Sequence, residues 1–223
     1  TTLELALNTL FRTRQTNRLL RLSFPGKDGP KALLLANRLD AVEALSRDFE
    51  YSVEVISNET GIALKEVQGK LVTLELIRED GSKRYFSGYV FEFRLVKADG
   101  GLVYYQMELR PWLAYLRLRR DNYLFHNKTL LDQTEDIFRD YSVRDSELRI
   151  RQDPPFTDAM QFDETDYNYL HRRWEQQGWY YWYEHRADGH TLILSDDSTQ
   201  APPIDGYAPD IPFQRAAGSH EDA

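Results

Sequence analysis

The stretch Gln161–Asp197 decides the fold; it reads QFDETDYNYLHRRWEQQGWYYWYEHRADGHTLILSDD. Its first half predicts an amphipathic helix, because Tyr167, Leu170 and Trp174 recur at the spacing that places them on one side of a helix. Polar and charged side chains occupy the other positions. The second half changes character at Gly178, and the two halves together indicate a helix that leads into a β-hairpin.

The ends of this helix carry clear signals. Asp163 or Thr165 can offer an oxygen to the free backbone amides of the first turn. Glu164 and Asp166 add negative charge there, which the helix dipole favours. Gly178 is the residue expected where a helix ends in a left-handed conformation. A helix that starts after Asp163 or Thr165 and ends at Gly178 is therefore predicted.

A hairpin is predicted after the glycine. The segment from Trp179 to His185 is too aromatic and too short for a second helix, and Asp188-Gly189 is a strong turn dipeptide. Strand alternation puts Trp179, Tyr181 and Tyr183 on one face and the other aromatic side chains of the run, Tyr180 and Trp182, on the opposite face. We expect both faces to be buried, between a barrel core and a neighbouring domain or protomer; an exposed face would instead offer a platform for sugar rings.

Several short motifs continue through this region. The run Q-x-x-E-T-D-x-x-Y-L-x-R is followed by E-Q-Q-G-W-Y-Y and by E-H-x-x-D-G-H-T-L-I-L-S-D. These motifs resemble the N-terminal, phage tail-hub-like region of VgrG, the spike protein of bacterial type VI secretion. Tyr104–Leu116 and Phe125–Tyr141 are similar to that family as well, so the resemblance covers most of the chain from about Phe49. The positions that carry the structural signature are Gln161, Glu164, Thr165, Asp166, Tyr169, Leu170, Arg172, Trp174, Gly178, Trp179, Tyr181, Tyr183, His185, Gly189 and His190.

The resemblance implies a structural role. Two similar barrels per subunit, in a homotrimer, would form a pseudo-sixfold ring that matches and caps the hexameric tube protein Hcp. Baseplate components and effectors or adaptors are the other implied partners. The family is assembled in the cytoplasm and then secreted or injected into target cells. It also implies that the second barrel continues past residue 223, and that this region is not an enzyme and needs no cofactor.

Composition and net charge exclude several classes of function, independently of the motifs. The chain has 223 residues, a formal net charge of -8 and no cysteine. The negative charge and the lack of a basic stripe argue against a nucleic-acid partner. Its longest apolar run is far shorter than a membrane span, and no signal peptide is apparent at the start of the sequence. Without cysteine the chain has no disulfide and no thiol nucleophile.

The fold class predicted for the whole chain is mainly β with α. Leu71–Arg78, Lys83–Val96 and Leu102–Arg110 are joined by tight glycine turns, which predicts an antiparallel meander. We assign residues 1–110 to a first antiparallel barrel, 111–178 to a helix-containing insert domain and 179–223 to the start of a second barrel. Gly88 suggests a bulge or sharp bend. On the long middle strand one face is expected to hold Tyr85, Tyr89, Phe91, Phe93 and Leu95.

The insert domain begins at Pro111-Trp112, where the pattern becomes helical. A helix from about residue 130 to residue 141 is predicted, with Asn127 or Thr129 as its cap. Ser146–Gln152 is a candidate strand. Asp153-Pro154-Pro155 separates this strand from the helix of the opening stretch.

Several polar residues suggest a metal site, an acid and base pair or a nucleophile, but a structural role explains each of them more simply. A metal site around the hairpin turn would use Glu184, His185, His190, Asp196 and Asp197, but their spacing is unlike that of common metal motifs. Glu164 and Asp166 are better explained by the helix start than as an acid and base pair for glycoside hydrolysis. His126 and His171 have no partners in sequence that indicate a nucleophile. The hub of a phage-like contractile tail and a carbohydrate- or peptidoglycan-binding module remain as alternative functions.

Overall fold

The computed structural model describes residues 19–201. Its first part is one antiparallel sheet of six strands in the order β1-β4-β5-β6-β3-β2. The sheet curls into a half-barrel with β1 and β2 at its two edges. The strands are β1 Leu20–Ser23, β2 Leu35–Val42, β3 Glu50–Ser57, β4 Leu71–Ile77, β5 Lys83–Asp99 and β6 Leu102–Arg110.

The predicted meander and strand alternation are present. β4, β5 and β6 pair in succession, and β3 pairs with the far side of β6. On β3 the side chains of Tyr51, Val53 and Val55 are fully buried, as their period of two indicates. They meet apolar residues of the neighbouring strands inside the curl, and this contact forms the first hydrophobic core.

The prediction that one face of β5 holds its odd-numbered apolar residues is wrong beyond the middle of the strand. The pairing of β5 with β6 shifts register between Val90 and Glu92, so Phe91 has no directly opposite residue. Val90 pairs with Leu109 before the shift, and Phe93 pairs with Met107 after it. Because a bulge adds one residue to one strand, the inward face changes from even to odd positions. The expected shared face of Tyr85, Tyr89, Phe91, Phe93 and Leu95 is therefore broken.

Gly88 has a different role from the predicted bulge or bend. It pairs in register with Val72. A Cβ at this position would lie 3.0 Å from Cβ of Leu109 and 3.1 Å from Cε2 of Phe49. The glycine therefore allows close packing inside the curl, and the bulge lies further along the strand.

The second part of the chain combines two short sheets with two helices. β7 and β9 form an antiparallel pair, whereas β10, β11 and β8 form a three-stranded sheet in which β8 is parallel to β11. Short 3-10 turns cover Leu64–Glu66, Trp112–Arg117 and Ser198–Gln200. The longer elements are β7 Arg120–Lys128, α1 Leu130–Arg139, β8 Ser146–Arg149, β9 Thr157–Thr165, α2 Asp166–Gln177, β10 Tyr180–Arg186 and β11 Gly189–Ser195.

The helix ends follow the predicted chemistry. The Asn168 amide donates to Oγ1 of Thr165 at 3.1 Å, so Thr165, and not Asp163, caps α2. Gly178 ends α2 in the left-handed conformation with φ of 72°. Thr129 caps α1 and forms a reciprocal capping box with Asp132. The candidate strand at Ser146 is also confirmed, as β8.

The two helices and the hairpin share a second hydrophobic core. On α2 the predicted stripe of Tyr167, Leu170 and Trp174 is buried in it. Trp179 and Tyr181 of the hairpin region enter the same core. Between residues 19 and 201, no helix has the length and apolar character needed to cross a membrane.

Candidate structural site at the junction of sheet and hairpin

The β10–β11 hairpin lies against the curled sheet, and two histidines mark the contact. His185 and His190 are directly opposite each other across the hairpin, with ring centroids 5.8 Å apart. The Phe49 ring meets both imidazoles edge-on, at 4.9 and 5.2 Å. Strand alternation explains the arrangement, because directly paired residues project to the same face of a hairpin.

His185 connects the hairpin to two strands of the sheet. The Ser87 amide donates to its Nδ1 at 3.0 Å, which leaves the proton on Nε2. Nε2 lies 2.9 Å from the hydroxyl of Tyr51, which in turn donates to Glu43 at 2.5 Å. Burial lowers the pKa of His185 to about 4. The neutral ring is therefore the form that fits this junction.

His190 makes the equivalent connection to the start of the insert. The Trp112 amide donates to its Nε2 at 3.1 Å. Burial lowers the pKa of His190 well below its usual value. The adjacent indole of Trp112 donates to the Asp145 carbonyl at 2.9 Å. The turn after β6 is thus fixed to the hairpin through the Trp112 backbone amide and to the loop before β8 through the Trp112 side chain.

Asp48 is a third connection, and no sequence signal indicated it. Its carboxylate accepts from the Tyr183 hydroxyl at 3.1 Å and pairs with the Arg117 guanidinium at 3.1 Å. Burial raises the pKa of Asp48, while Arg117 opposes that rise. The loop before β3, the 3-10 turn and the hairpin therefore meet at one carboxylate.

Asp166 lies at the centre of a buried polar cluster in the second core. Its fully buried carboxylate accepts from the Tyr141 hydroxyl at 2.6 Å and the Gln161 amide at 2.9 Å. Nε of Arg119 lies 2.7 Å away as an ion-pair partner. Asp166 does lie in the first turn of α2, but these contacts give it a further role as a buried anchor.

Glu164 is placed differently from its expected helix-start position. It belongs to β9 and forms an ion pair with Arg172 at 2.6 Å. Asp166 is committed to its own buried partners, so the two carboxylates are occupied by separate structural contacts. The arrangement supports the scaffold interpretation over a glycosidase pair.

The buried face of α2 adds three hydrogen bonds between elements. Tyr169 donates to Gln133 at 2.7 Å, and the Trp174 indole donates to Thr134 at 3.0 Å. His171 donates from Nδ1 to a carbonyl of its own helix, so Nε2 is the acceptor for the Tyr181 hydroxyl at 2.8 Å. Burial lowers the pKa of His171 to about 4. These bonds hold α1, α2 and the hairpin in one arrangement.

The signature residues divide into buried and accessible sets. The accessible members lie at the ends or outer face of α2 or at the edge of the junction; they are Glu164, Thr165, Arg172, Gly178, Tyr183 and His185. The buried members face the second core or the junction; they are Gln161, Asp166, Tyr169, Leu170, Trp174, Trp179, Tyr181, Gly189 and His190. Most of the signature thus lies inside the protein.

The candidate metal residues are not gathered into one site. Asp196 accepts from the backbone amides of Arg151 and Gln152, and Asp197 accepts from Thr199. Within the described part of the chain, no group of three or more His, Cys, Asp or Glu side chains is placed to hold a metal ion. His126 is exposed and pairs with Asp158.

The predicted faces of the aromatic run differ in burial. Trp179 and Tyr181 are buried, but Tyr180 and Trp182 on the opposite face are only half-buried and their rings stack at 5.8 Å. Burial of this second face against a neighbouring domain or protomer therefore stays a prediction. The outer face of β10 remains partly open.

Comparison with known proteins places this architecture. The family model "Phage tail baseplate hub (GPD)" matches residues 42–223. The type VI secretion system spike protein VgrG1b of Pseudomonas aeruginosa is 34% identical over 201 residues, which is 89% of this chain and 27% of that protein. VgrG1a of the same organism is 31% identical over 93% of this chain and 32% of its own length. The chain thus spans about a quarter to a third of these relatives.

Solved structures show the same fold. The E. coli c3393 protein, described as a component of the type VI secretion system with similarity to T4 tail proteins gp27 and gp5, matches with a TM-score of 0.72. The match has 20% identity and covers 82% of this chain and 51% of that one. A tail protein from Neisseria meningitidis matches with a TM-score of 0.54 and 14% identity, over 83% of this chain and 52% of the other. With residues 42–223 matched by its model, the chain belongs to the phage tail baseplate hub family and is homologous to the VgrG spike proteins over most of its length.

Proposed function

We propose that this chain is the hub-forming part of a type VI secretion spike subunit. The observation that carries the proposal is the 34% identity to VgrG1b over 89% of the chain. The hub fold agrees with it, and the phage-tail and carbohydrate-binding alternatives are less favoured because the spike relatives account for the sequence and fold together. The role is structural, with no catalytic step assigned to this region.

In the proposed assembly three copies form the hub. The curled sheet of each subunit supplies one barrel-like surface, and residues 179–223 begin a second one. Two similar surfaces in each of three subunits would present six positions to the hexameric Hcp tube. Baseplate components, effectors or adaptors would bind the completed spike after cytoplasmic assembly, and the spike would then be injected.

The buried junction suits this mechanical role. His185, His190 and Asp48 join the hairpin to the sheet and to the turn at Trp112. Because these contacts connect the same parts of the chain, relative movement of the sheet and the helix-hairpin unit would break several hydrogen bonds at once, although Nδ1 of His190 has no hydrogen-bond partner among the described residues. The unit can therefore transmit axial force between tube and spike without bending at this point.

A segment exchange tests the proposal in a working machine. The part of P. aeruginosa VgrG1b that matches this chain would be replaced by this chain, in a strain whose other spike genes are deleted. We expect the chimaera to support release of Hcp into the medium, as measured by immunoblot. A stable, trimeric chimaera that releases no Hcp would contradict the proposed function. The matched control carries Trp174→Ala in the exchanged segment and should fail through misfolding.

A further inference from the structure

Two histidines hold the turn end of the β10–β11 hairpin, and each accepts a hydrogen bond from a backbone amide. Nδ1 of His185 accepts from Ser87 on β5 at 3.0 Å. Nε2 of His190 accepts from Trp112, at the start of the insert, at 3.1 Å. A neutral imidazole has one nitrogen that accepts, whereas the protonated ring has two donors and no acceptor. Each contact therefore requires a neutral histidine.

A second proton on either ring would place two N–H groups opposite each other. On His185 this proton would lie on Nδ1 and face the Ser87 amide, because Nε2 already carries the proton that faces Tyr51. On His190 it would lie on Nε2 and face the Trp112 amide. A backbone amide can only donate, so protonation turns each attachment into a contact between two donors.

The groups around His185 offset this effect only in part. Burial is the main cause of its lowered pKa; Glu43, in the loop after β2, raises the pKa, and Arg84 on β5 lowers it. Glu43 is itself paired with Arg84 at 3.1 Å and accepts from Tyr51 on β3. The nearest carboxylate therefore has other partners, and the imidazole is neutral near pH 7.

The surroundings of His190 favour the neutral ring more strongly. Burial lowers its pKa most, the charges of His185 and Arg186 lower it further, and the Ser87 backbone raises it. Arg186 is paired with Asp145 on the side of the loop before β8. The other titratable neighbours are phenol rings; they are Tyr89 on β5 and Tyr183 on β10. The two imidazole centroids are 5.8 Å apart, so charge on one histidine disfavours charge on the other.

The base of the hairpin has attachments that tolerate protonation. The Ser46 amide donates to the Tyr181 carbonyl at 2.8 Å, and this bond involves no titratable group. The Tyr181 hydroxyl contacts His171, but a hydroxyl can accept as well as donate, so the contact can survive charge on that imidazole. Asp48 accepts from Tyr183, and a protonated carboxyl keeps an oxygen that can accept. The two ends of the hairpin should therefore respond differently to acid.

We propose that residues 184–190 form an acid-operated latch, in which protonation of His185 and His190 releases the turn end of the hairpin while Tyr181 keeps its base in place. Release would separate the hairpin from Ser87 and from Trp112, so the sheet and the insert would lose two of the contacts that fix their relative position. The latch is closed at neutral pH. The contacts that carry this inference do not depend on the proposed secretion role.

Hydrogen exchange of single backbone amides, followed by NMR in the full 223-residue chain, tests the latch. Exchange rates at pH 7.5 and pH 5, corrected for the intrinsic effect of pH, give the protection of Ser87 and Trp112. We expect both protections to fall, at Ser87 by about thirtyfold or more, since the pKa of His185 is about 4 when the latch is closed and 6.5 when it is open. At pH 5 both amides should exchange about tenfold or more faster than Val53 on β3 and Leu170 on α2, whose exchange requires a core to open.

Two substitutions that keep an acceptor but do not titrate sharpen the test. His185→Asn can present Oδ1 where Nδ1 lies, and His190→Gln can present Oε1 where Nε2 lies. In a single latch each substitution reduces the pH response at both amides, and the double variant abolishes it. His126→Gln, at an exposed position, is the control and should leave the response unchanged.

Three results would overturn the latch. The first is protection at Ser87 and Trp112 that does not fall between pH 7.5 and pH 5. The second is equal protection of these amides and of Val53 and Leu170 at pH 5, because opening would then be unfolding of the whole chain. The third is a response confined to the amide beside the substituted ring, which would show two independent contacts. The first two comparisons use the native chain, so they decide the outcome even where a variant fails to fold.

Discussion

The curled sheet and the helix-hairpin unit each have a buried hydrophobic core, but the two cores are stabilised in different ways. The core of the sheet is almost entirely apolar; the Thr73 hydroxyl donates to Oγ of Ser87 on the neighbouring strand, and Ser87 donates to the Arg186 carbonyl. The second core buries Gln133, Asp166 and His171 among its aromatic rings. Apolar packing tolerates substitution by similar shapes, whereas each buried polar group requires its particular partner. The second unit should therefore be more sensitive to small chemical changes.

Removing the central indole of the second core should have the largest effect. Trp174 is 1% exposed and also donates to Thr134, so Trp174→Ala should lower the free energy of unfolding by roughly 3 to 5 kcal/mol. Chemical denaturation followed by circular dichroism measures the change. Phe162→Ala is the control, since that ring is 71% exposed and its loss should cost little. An unchanged midpoint for Trp174→Ala would contradict the burial of α2.

Neutralising the buried carboxylate should come next. Asp166→Asn keeps the shape of the side chain but places an amide group between the donors Tyr141 and Gln161 and removes the charge that pairs with Arg119, at a cost of about 2 to 3 kcal/mol. Asp163→Asn is the matched control, because its ion pair with Arg120 is exposed and contributes little. Equal stability of the two variants in urea denaturation would show that the polar cluster does not distinguish the second core.

Acid should weaken the contact between the two regions. The pKa of His185 falls from 6.5 to about 4 on folding, so the unfolded chain takes up a proton first as the pH decreases. The contribution of His185 to the free energy of unfolding is therefore fully present above pH 6.5 and decreases between pH 6.5 and 4. At pH 5 the decrease is roughly 2 kcal/mol. Glu43 and Arg84 act on the same ring in opposite directions.

Urea denaturation at several pH values would measure this dependence. His185→Gln removes one of three buried histidines whose pKa is lowered and should make the curve shallower, whereas His126→Gln, at an exposed position, is the matched control. A curve for His185→Gln as steep as that of the native chain would exclude His185 as the source. The comparison also separates the junction from either core.

The smallest of these effects should be the loss of one buried hydroxyl. Tyr169→Phe keeps the packed ring but removes the donor to Oε1 of Gln133, whose amide still donates to the Lys128 carbonyl; the change should cost about 1 kcal/mol. Tyr123→Phe, at a half-exposed position on β7, is the control and should have almost no effect. Thermal melts resolve this difference. Equal melting temperatures for Tyr169→Phe and Tyr123→Phe would argue that the second core is no more sensitive to the loss of a hydrogen bond than the first.

Elements whose apolar residues recur at the regular spacing of a strand or a helix were predictable from the sequence. β3 and α2 have buried side chains at the spacings of a strand and a helix, and local residues such as Thr165 and Gly178 fix the ends of α2. β9 was missed because its pattern is reversed. It exposes Met160 and Phe162 but buries Gln161.

The candidate site was harder to predict from the sequence, because its contacts join segments that are far apart along the chain. Asp48 reaches Tyr183, and Ser87 reaches His185, over separations that no local pattern records. Asp166 had a sufficient local explanation in the helix start, which concealed its buried contacts. The face change on β5 depends on one unpaired residue, Phe91, in an otherwise regular alternation. Local chemistry thus predicts elements better than it predicts their junctions.

The hydrogen-bonded series at the junction also constrains how the sequence can evolve. It runs in one direction from the Ser87 amide through His185 and Tyr51 to Glu43. Replacing Tyr51 with phenylalanine would leave the Nε2 proton of His185 without an acceptor, and Glu43 would keep only its contact with Arg84. Divergent homologues should therefore change these side chains as a group, and coordinated replacement would mark lineages in which the hairpin has found another way to bind the sheet.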